Sequence, residues 1–482
     1  MNHKMVVRTT GMLLLAEACL LLLPLAVSLI CRERCFYAIL ITIGVAGVSG
    51  GIGMLAGRGA DRTIYSREGF TITGLSWLLL SAVGALPFFI SREIPSYVDA
   101  FFETVSGFTT TGASILEDVE AMSRGLLFWR SFTHWVGGMG ILVFLMAMTK
   151  NISERSIYIM RAEMPGPIVD KITPRTKDTA KIFYAIYFSL TFTEVALLLC
   201  GGMPLFEALI HSFGTAGTGG FGALRDSITS YNPYLQWVIG CFMLVFGVNF
   251  NLYYLLLMRR FRSVVKSGEL WAYLGIAATS TVIIALNIRS LYPNVSDTLR
   301  TAFFQVSSIM TTTGFATADF DTWPTLSKTV LLLLMFIGAC AGSTGGGIKV
   351  SRVVIYAKNI HREVKKLLHP RSVSVMRLEG KPVDESVIRG QNAYLAVYAL
   401  SFLLVFFLLS FDRFDIETNL SAAAACFNNI GPGFAIVGPT SNYADYSAFS
   451  KLVLSAAMLM GRLEIFPILL LFTPSTWLRR GR

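Results

Sequence analysis

The chain has 482 residues, 54% of them hydrophobic and 15% charged, with a formal net charge of +11. Soluble globular proteins carry roughly 25% charged residues, so the composition excludes an ordinary soluble enzyme. The charge does not point to nucleic acid either, because the basic residues lie in blocks between apolar runs.

The apolar runs fall at 12–30, 36–56, 75–90, 126–148, 182–202, 235–258, 271–288, 330–340, 393–411 and 452–472. Most reach the ~20 helical residues that cross a hydrocarbon core of about 30 Å. They predict a polytopic α-helical protein of the lipid bilayer. The first run exceeds the apolar core of a signal peptide, about 7–15 residues, and reads as a retained helix. Stretches 57–69, 149–181, 259–269, 349–390 and 475–482, with Lys4 and Arg8, hold most of the 41 Lys and Arg residues. The positive-inside rule places these stretches, and both termini, in the cytoplasm. In "CRERC", Cys31 and Cys35 have no neighbouring His or further Cys, so the spacing does not suit a metal. A disulfide between them stays open, with free thiols the preferred reading.

After the first two runs, apolar spans come in pairs with a shorter semi-polar segment inside each pair. These are "DAFFETVSGFTTTGAS" (99–114), "PLFEALIHSFGTAGTGGF" (204–221), "DTLRTAFFQVSSIMTTTGFAT" (297–317) and "ETNLSAAAACFNNIGPGF" (417–434). Asp99, Pro204, Asp297 and Thr418 are the predicted helix starts. Each segment allows ~10 helical residues, or about 15 Å, before a glycine. Such a segment must enter the membrane and turn back, with its turn buried in protein or lining a watery cavity.

Aligned at the breaking glycine, the segments read FTTTG to Gly112, FGTAG to Gly217, MTTTG to Gly314 and FNNIG to Gly431. A period of about one hundred residues predicts four tandem units of helix, half-helix, loop and helix. The expected organisation is a two-helix hairpin at 1–68, then units at 69–150, 178–262, 268–362 and 388–478.

A cation leaving water needs oxygens in place of its hydration shell, which rings of backbone carbonyls supply. Glycine permits the necessary dihedrals, and small hydroxyl or amide side chains add ligands. Each half-helix turns its carbonyl end, about half a negative charge, toward the membrane centre. The expected selectivity filter for a monovalent cation is therefore Thr110, Thr111 and Gly112; Thr215, Ala216 and Gly217; Thr312, Thr313 and Gly314; and Asn429, Ile430 and Gly431.

The stretch "GACAGSTGGGIK" at 338–349 has phosphate-loop spacing from Gly342 to Gly347. Ile348 then intervenes and Val350 follows Lys349, so the motif fails. Consecutive small residues from 338 to 347 should instead break the second helix of the third unit. A break at membrane depth lines a cavity, which makes Gly338, Gly342, Ser343, Thr344, Gly345, Gly346 and Gly347 a candidate gate below the filter. Arg462 lies within the last apolar run, where a cation costs about 3 kcal/mol. It is expected to touch that loop or the ion path as a positive barrier. His134 and His211 read as hydrogen-bonded structural residues, and Glu194 as a paired buried carboxylate. No Ser/His or metal-ligating cluster suggests a membrane enzyme, so catalytic residues are not expected.

The four glycine loops, "HWVGGMGI" (134–141), "GSTGGGIKVSR" (342–352) and "GRLEIFPILLLFTP" (461–474) resemble the Trk/Ktr/HKT superfamily of potassium transporters, closest to its bacterial TrkH and TrkG branch. The resemblance runs over nearly the whole chain. It implies an all-α membrane fold of four pseudo-fourfold units around one K⁺ pore, behind an extra two-helix hairpin. It implies K⁺, with Rb⁺ as analogue, at the carbonyls of Thr111, Ala216, Thr313 and Ile430, and no cofactor. A homodimer in the inner membrane of a bacterium and a cytosolic nucleotide-binding regulatory subunit of the TrkA type follow, the latter docking on the basic 349–390 segment. A glycine at position 112 goes with K⁺ selectivity, where some Na⁺-selective plant members carry serine. The second loop, "GTAGTGGFG", departs from the more common Asn-Asn-Ala-Gly-Phe. The alternative on this scaffold is a Na⁺-selective or poorly selective cation permease; passive flow and symport are both compatible with the residues.

Overall fold

The computed structural model describes residues 1–60, 66–140, 176–371, 376–378 and 381–477. Apart from the two-residue strands Arg377–Leu378 and Lys381–Pro382, the regular elements among these are helical. Among the described residues, six helices are long and apolar enough to cross a membrane: His3–Ile30, Phe36–Ala56, Arg67–Ile90, Thr179–Cys200, Gly268–Asn287 and Glu385–Leu409. The fourth predicted span runs on to 148; its helix is described as Arg124–Gly138, and residues 141–148 lie outside the described set.

The amino-terminal hairpin closes through glycine. A Cβ at Gly11 would stand 2.8 Å from the Gly50 carbonyl oxygen, so the two backbones approach as only small residues allow. Between the hairpin helices, Glu33 of "CRERC" accepts from Arg124 N at 2.8 Å and Gly125 N at 2.9 Å. That carboxylate satisfies the open N–H groups at the start of Arg124–Gly138 and faces the positive end of its dipole. Of the two readings left open, free thiols or a disulfide, Cys31 and Cys35 take the first.

Four short helices lie where the semi-polar segments predicted them: Tyr97–Phe108, Leu205–Gly217, Val295–Met310 and Ile416–Phe427. Only Pro204 caps its helix as expected. Ser96, Asn294 and Asp415 hold the other N-cap positions, and Asp99 and Asp297 stand in the first turn, where carboxylates suit the dipole.

The helices that follow the second, third and fourth loops are interrupted. Pro233–Phe246 and Phe250–Leu257 meet at 91°, with Asn249 capping the second piece through Asn251 N at 2.9 Å. Thr325–Phe336 stops before the small-residue run, and the chain resumes helix at Val350–Leu368. Ala448–Arg462 and Phe466–Phe472 are separated by Leu463, Glu464 and Ile465, the last two with positive φ.

Candidate functional site

Each short helix ends in a loop with one repeated backbone signature: a residue with φ near +57°, one intervening residue, then a glycine with larger positive φ. The pairs are Thr110 (56°) and Gly112 (79°), Thr218 (56°) and Gly220 (75°), Thr312 (59°) and Gly314 (87°), and Asn429 (57°) and Gly431 (99°). Thr215, Ala216 and Gly217 do not take this conformation. They form the last turn of helix Leu205–Gly217, and the loop begins at Thr218. The alignment at Gly217 is three residues early because "GTAGTGG" offers several glycines, and side-chain identity alone chose the wrong one. The carbonyl in register with Thr111, Thr313 and Ile430 is that of Gly219, in place of Ala216.

The corrected frame closes on itself. A Cβ at Gly112 would strike the carbonyl oxygen of Gly219; at Gly220, that of Thr313; at Gly314, that of Ile430. At Gly431 it would lie 2.8 Å from the carbonyl oxygen of Thr111. Each loop abuts the next, and the fourth returns to the first. All four glycines line one open cavity, together with Arg130, Glu117 and Tyr443.

Side chains fix the loops from behind. Glu103 accepts from Ile115 N at 2.9 Å, Gln305 from Thr317 N at 3.2 Å, and Ser421 Oγ from Phe434 N at 2.9 Å. The first, third and fourth half-helices thus hold the strands leaving their own loops. Thr109 and Thr111 hydroxyls meet at 2.8 Å, as do those of Thr311 and Thr313. Asn429 Nδ2 donates to Thr111 Oγ1 at 2.9 Å, tying loop four to loop one. His134 ties loop one to loop two, with Nδ1 2.8 Å from Gly107 O and Nε2 accepting from Phe221 N at 3.3 Å. His211 meets the Tyr231 hydroxyl at 3.1 Å. Both histidines are buried and structural, as expected. Glu194 is buried without a cationic partner among the described residues, contrary to the paired carboxylate expected; it lies beside Thr215.

Against the loops, residues 337–349 form a compact non-helical segment. Ile337 and Ile348 pair in a short parallel bridge, with Gly338 N donating to Ile348 O at 2.8 Å. Gly346 N donates to Thr312 Oγ1 at 2.6 Å, placing the segment directly against the third loop. Cys340 N donates to Gly247 O at 3.0 Å and Phe250 N to Gly342 O at 3.1 Å, so the break at Gly247–Asn249 receives the segment. Glu269 accepts from Ala341 N at 2.7 Å and from Ser351 N at 3.1 Å.

Two cations meet this segment. Lys349, 1% exposed, donates to the carbonyls of Gly345 and Gly346. Arg462, 4% exposed, donates to Thr344 O at 2.6 Å, Gly137 O at 2.7 Å and Gly138 O at 2.6 Å. Glu464 pairs with Arg352 at 2.6 Å. Sequence reasoning placed Arg462 at the 338–347 loop, and the structure brings the two together. It missed Lys349, which had been weighed only as a failed phosphate-loop lysine, and Glu269, which nothing in "SGELW" distinguishes from a solvated helix start.

The family model of TrkH, a cation transport protein, matches residues 37–479. The chain belongs to the TrkH family. Among curated TrkH members, the Trk system potassium uptake protein TrkH of Salmonella typhimurium is 37% identical over 485 residues, covering 99% of this chain and 100% of the relative. TrkG of Escherichia coli K12, also a Trk system potassium uptake protein, is 32% identical over 479 residues, covering 98% of both chains. The crystal structure of the potassium transporter TrkH from Vibrio parahaemolyticus superposes with a TM-score of 0.89 at 33% identity, covering 99% of this chain and 100% of that one. The family is one of transporters, not enzymes.

Proposed function

We propose that this chain is the membrane subunit of a potassium uptake system in the inner membrane of a bacterium, passing K⁺ along one pathway through all four glycine loops. The closure of the loops carries this reading: each glycine abuts a carbonyl of the next loop, around one shared cavity. The family's full-length relatives, named for potassium uptake, supply the ion. In this reading the filter is 110–112, 218–220, 312–314 and 429–431, and the carbonyls of Thr111, Gly219, Thr313 and Ile430 replace water around the ion. The carbonyl ends of four half-helices add negative potential beneath it.

The segment 338–347 is the gate, held shut under the filter by Glu269, Lys349 and Arg462. Their two positive charges raise the energy of a cation below the filter until the segment moves. Helix Val350–Leu368 begins where the gate ends and exposes Ile360, Val364, Leu367 and Leu368 beside Lys358, Lys365 and Lys366. A cytosolic nucleotide-binding subunit of the TrkA type docking there would pull on the gate through this helix. The chain works as a homodimer with both termini in the cytoplasm.

Growth rescue of a bacterium lacking its K⁺ uptake systems, at limiting K⁺ and with ⁸⁶Rb⁺ uptake measured against competing Na⁺, tests the reading. Wild type should rescue and take up ⁸⁶Rb⁺, and Gly112→Ser should lose discrimination against Na⁺. A well-expressed wild type that does neither, with its regulatory subunit present, would overturn the assignment.

A further inference from the structure

Glu103 and Arg130 form the most buried of the described salt bridges, with Nε to Oε1 at 2.6 Å and side chains 3% and 0% exposed for Arg130 and Glu103. The pair sits behind the first loop and touches the second. Glu103 Oε1 also accepts from Ser114 Oγ at 2.9 Å, and Oε2 accepts from Ile115 N at 2.9 Å. Both partners belong to the strand leaving loop one. Arg130 reaches the other way. Its guanidinium carbon stands 3.4 Å from the centre of the Phe221 ring, and Nη1 donates to Gly222 O at 3.4 Å. Arg130 also lines the cavity shared by Gly112, Gly220, Gly314 and Gly431.

The corresponding place in loop three is held by Gln305, which is neutral and makes the same backbone bond to Thr317 N. Loop four uses Ser421. A carboxylate is therefore not needed to hold the departing strand. What distinguishes loop one is the guanidinium beside it, a cation at the mouth of a proposed cation path. We infer that Glu103 and Arg130 are a positioning pair for discrimination between K⁺ and Na⁺: Arg130 straps loop two to loop one, and Glu103 cancels the charge that the strap would otherwise present to the entering ion. This rests on the reading of the four loops as a K⁺ filter. Two separate effects follow. The strap sets the spacing of the loops and acts on selectivity. The cancellation sets the potential of the cavity and acts on apparent affinity, since a cleft of one sign changes local ion concentration by roughly 10–10³-fold.

The test is ⁸⁶Rb⁺ uptake, per amount of protein in the membrane, by wild type, Glu103→Gln, Arg130→Gln and the double variant, with and without Na⁺. Glu103→Gln keeps an acceptor for the backbone and leaves Arg130 unpaired; its KM for Rb⁺ should rise about tenfold or more. Arg130→Gln should leave that KM without an increase but make uptake several-fold more sensitive to Na⁺. The double variant should return KM to within about twofold of wild type while keeping the Na⁺ sensitivity, because without Arg130 no charge is left to cancel and the strap is still missing. A role in folding alone would reduce the amount of protein and leave KM and Na⁺ sensitivity per molecule unchanged, which would overturn the inference. If Glu103→Gln fails to reach the membrane, the comparison of Arg130→Gln and the double variant decides: both must show raised Na⁺ sensitivity. Wild type that takes up no ⁸⁶Rb⁺ overturns the K⁺ reading itself; normal wild-type uptake with unaltered variants overturns this inference alone.

Discussion

Arg462 donates to the carbonyl oxygen of Thr344 at 2.6 Å across 118 residues of chain, joining helix Ala448–Arg462 to the small-residue segment packed against the third loop. Its other terminal nitrogen holds the carbonyls of Gly137 and Gly138 at 2.7 and 2.6 Å. One planar fork therefore joins the carboxyl end of helix Arg124–Gly138 to the 337–349 segment, a geometry that lysine's single ammonium reproduces poorly. Arg462→Ala should raise ⁸⁶Rb⁺ flux several-fold in the absence of a regulatory subunit, with Arg462→Lys in between. Flux equal to wild type at equal expression would remove the barrier role.

Glu269 gives a second handle on the same segment. Glu269→Ala leaves the N–H groups of Ala341 and Ser351 without this acceptor, at about 1–3 kcal/mol for each buried group. The expected outcome is a lower unfolding temperature in detergent together with raised partner-independent flux. Glu269→Gln, which keeps one acceptor oxygen, should do less on both counts.

At the second loop, the residues chosen by sequence alignment and those chosen by backbone conformation can be separated. Thr215 and Ala216 lie in helix, and Thr215 Oγ1 bonds back to His211 O at 2.9 Å. Ala216→Gly should cost roughly 1 kcal/mol of helix stability and Thr215→Val little more. Neither should change the ratio of Rb⁺ to Na⁺ uptake. A selectivity change in either would restore the earlier alignment.

Glu33 and its flanking cysteines also part company. Glu33→Ala should cost about 1 kcal/mol, the usual value of a helix cap, because it uncaps Arg124–Gly138. Cys31→Ser should leave uptake and stability unchanged, with or without reductant, measured by thermal unfolding and ⁸⁶Rb⁺ uptake.

Much of this architecture is written in hydrophobic length. Half-helices were legible because ten or so helix-compatible residues between a start signal and a glycine cannot cross a bilayer. The 338–347 break was legible because a run of small residues cannot hold helix, and Arg462 because a cation inside an apolar run needs oxygens. The second loop was misread where glycines crowd together: only the dihedrals distinguish Gly217, in helix, from Gly220, at φ 75°. The bend at Gly247–Asn249 was missed because "FGVNF" is apolar enough to continue the span. Glu269 is set by contacts with Ala341 and Ser351, 72 and 82 positions away, and the Glu103–Arg130 pair spans 27. No local pattern encodes a pairing at such distances.

The central claim is that four loops of one chain form one ion site, and single glycine substitutions in each loop test it most directly. Purified wild type, Gly112→Ser, Gly220→Ser, Gly314→Ser and Gly431→Ser would be reconstituted in equal amounts into liposomes, and ⁸⁶Rb⁺ and ²²Na⁺ fluxes compared. Wild type should favour Rb⁺, and every one of the four variants should lose that preference or its flux. Wild-type preference and flux in any one of the four would show that its loop stands outside the site, and would contradict the ring.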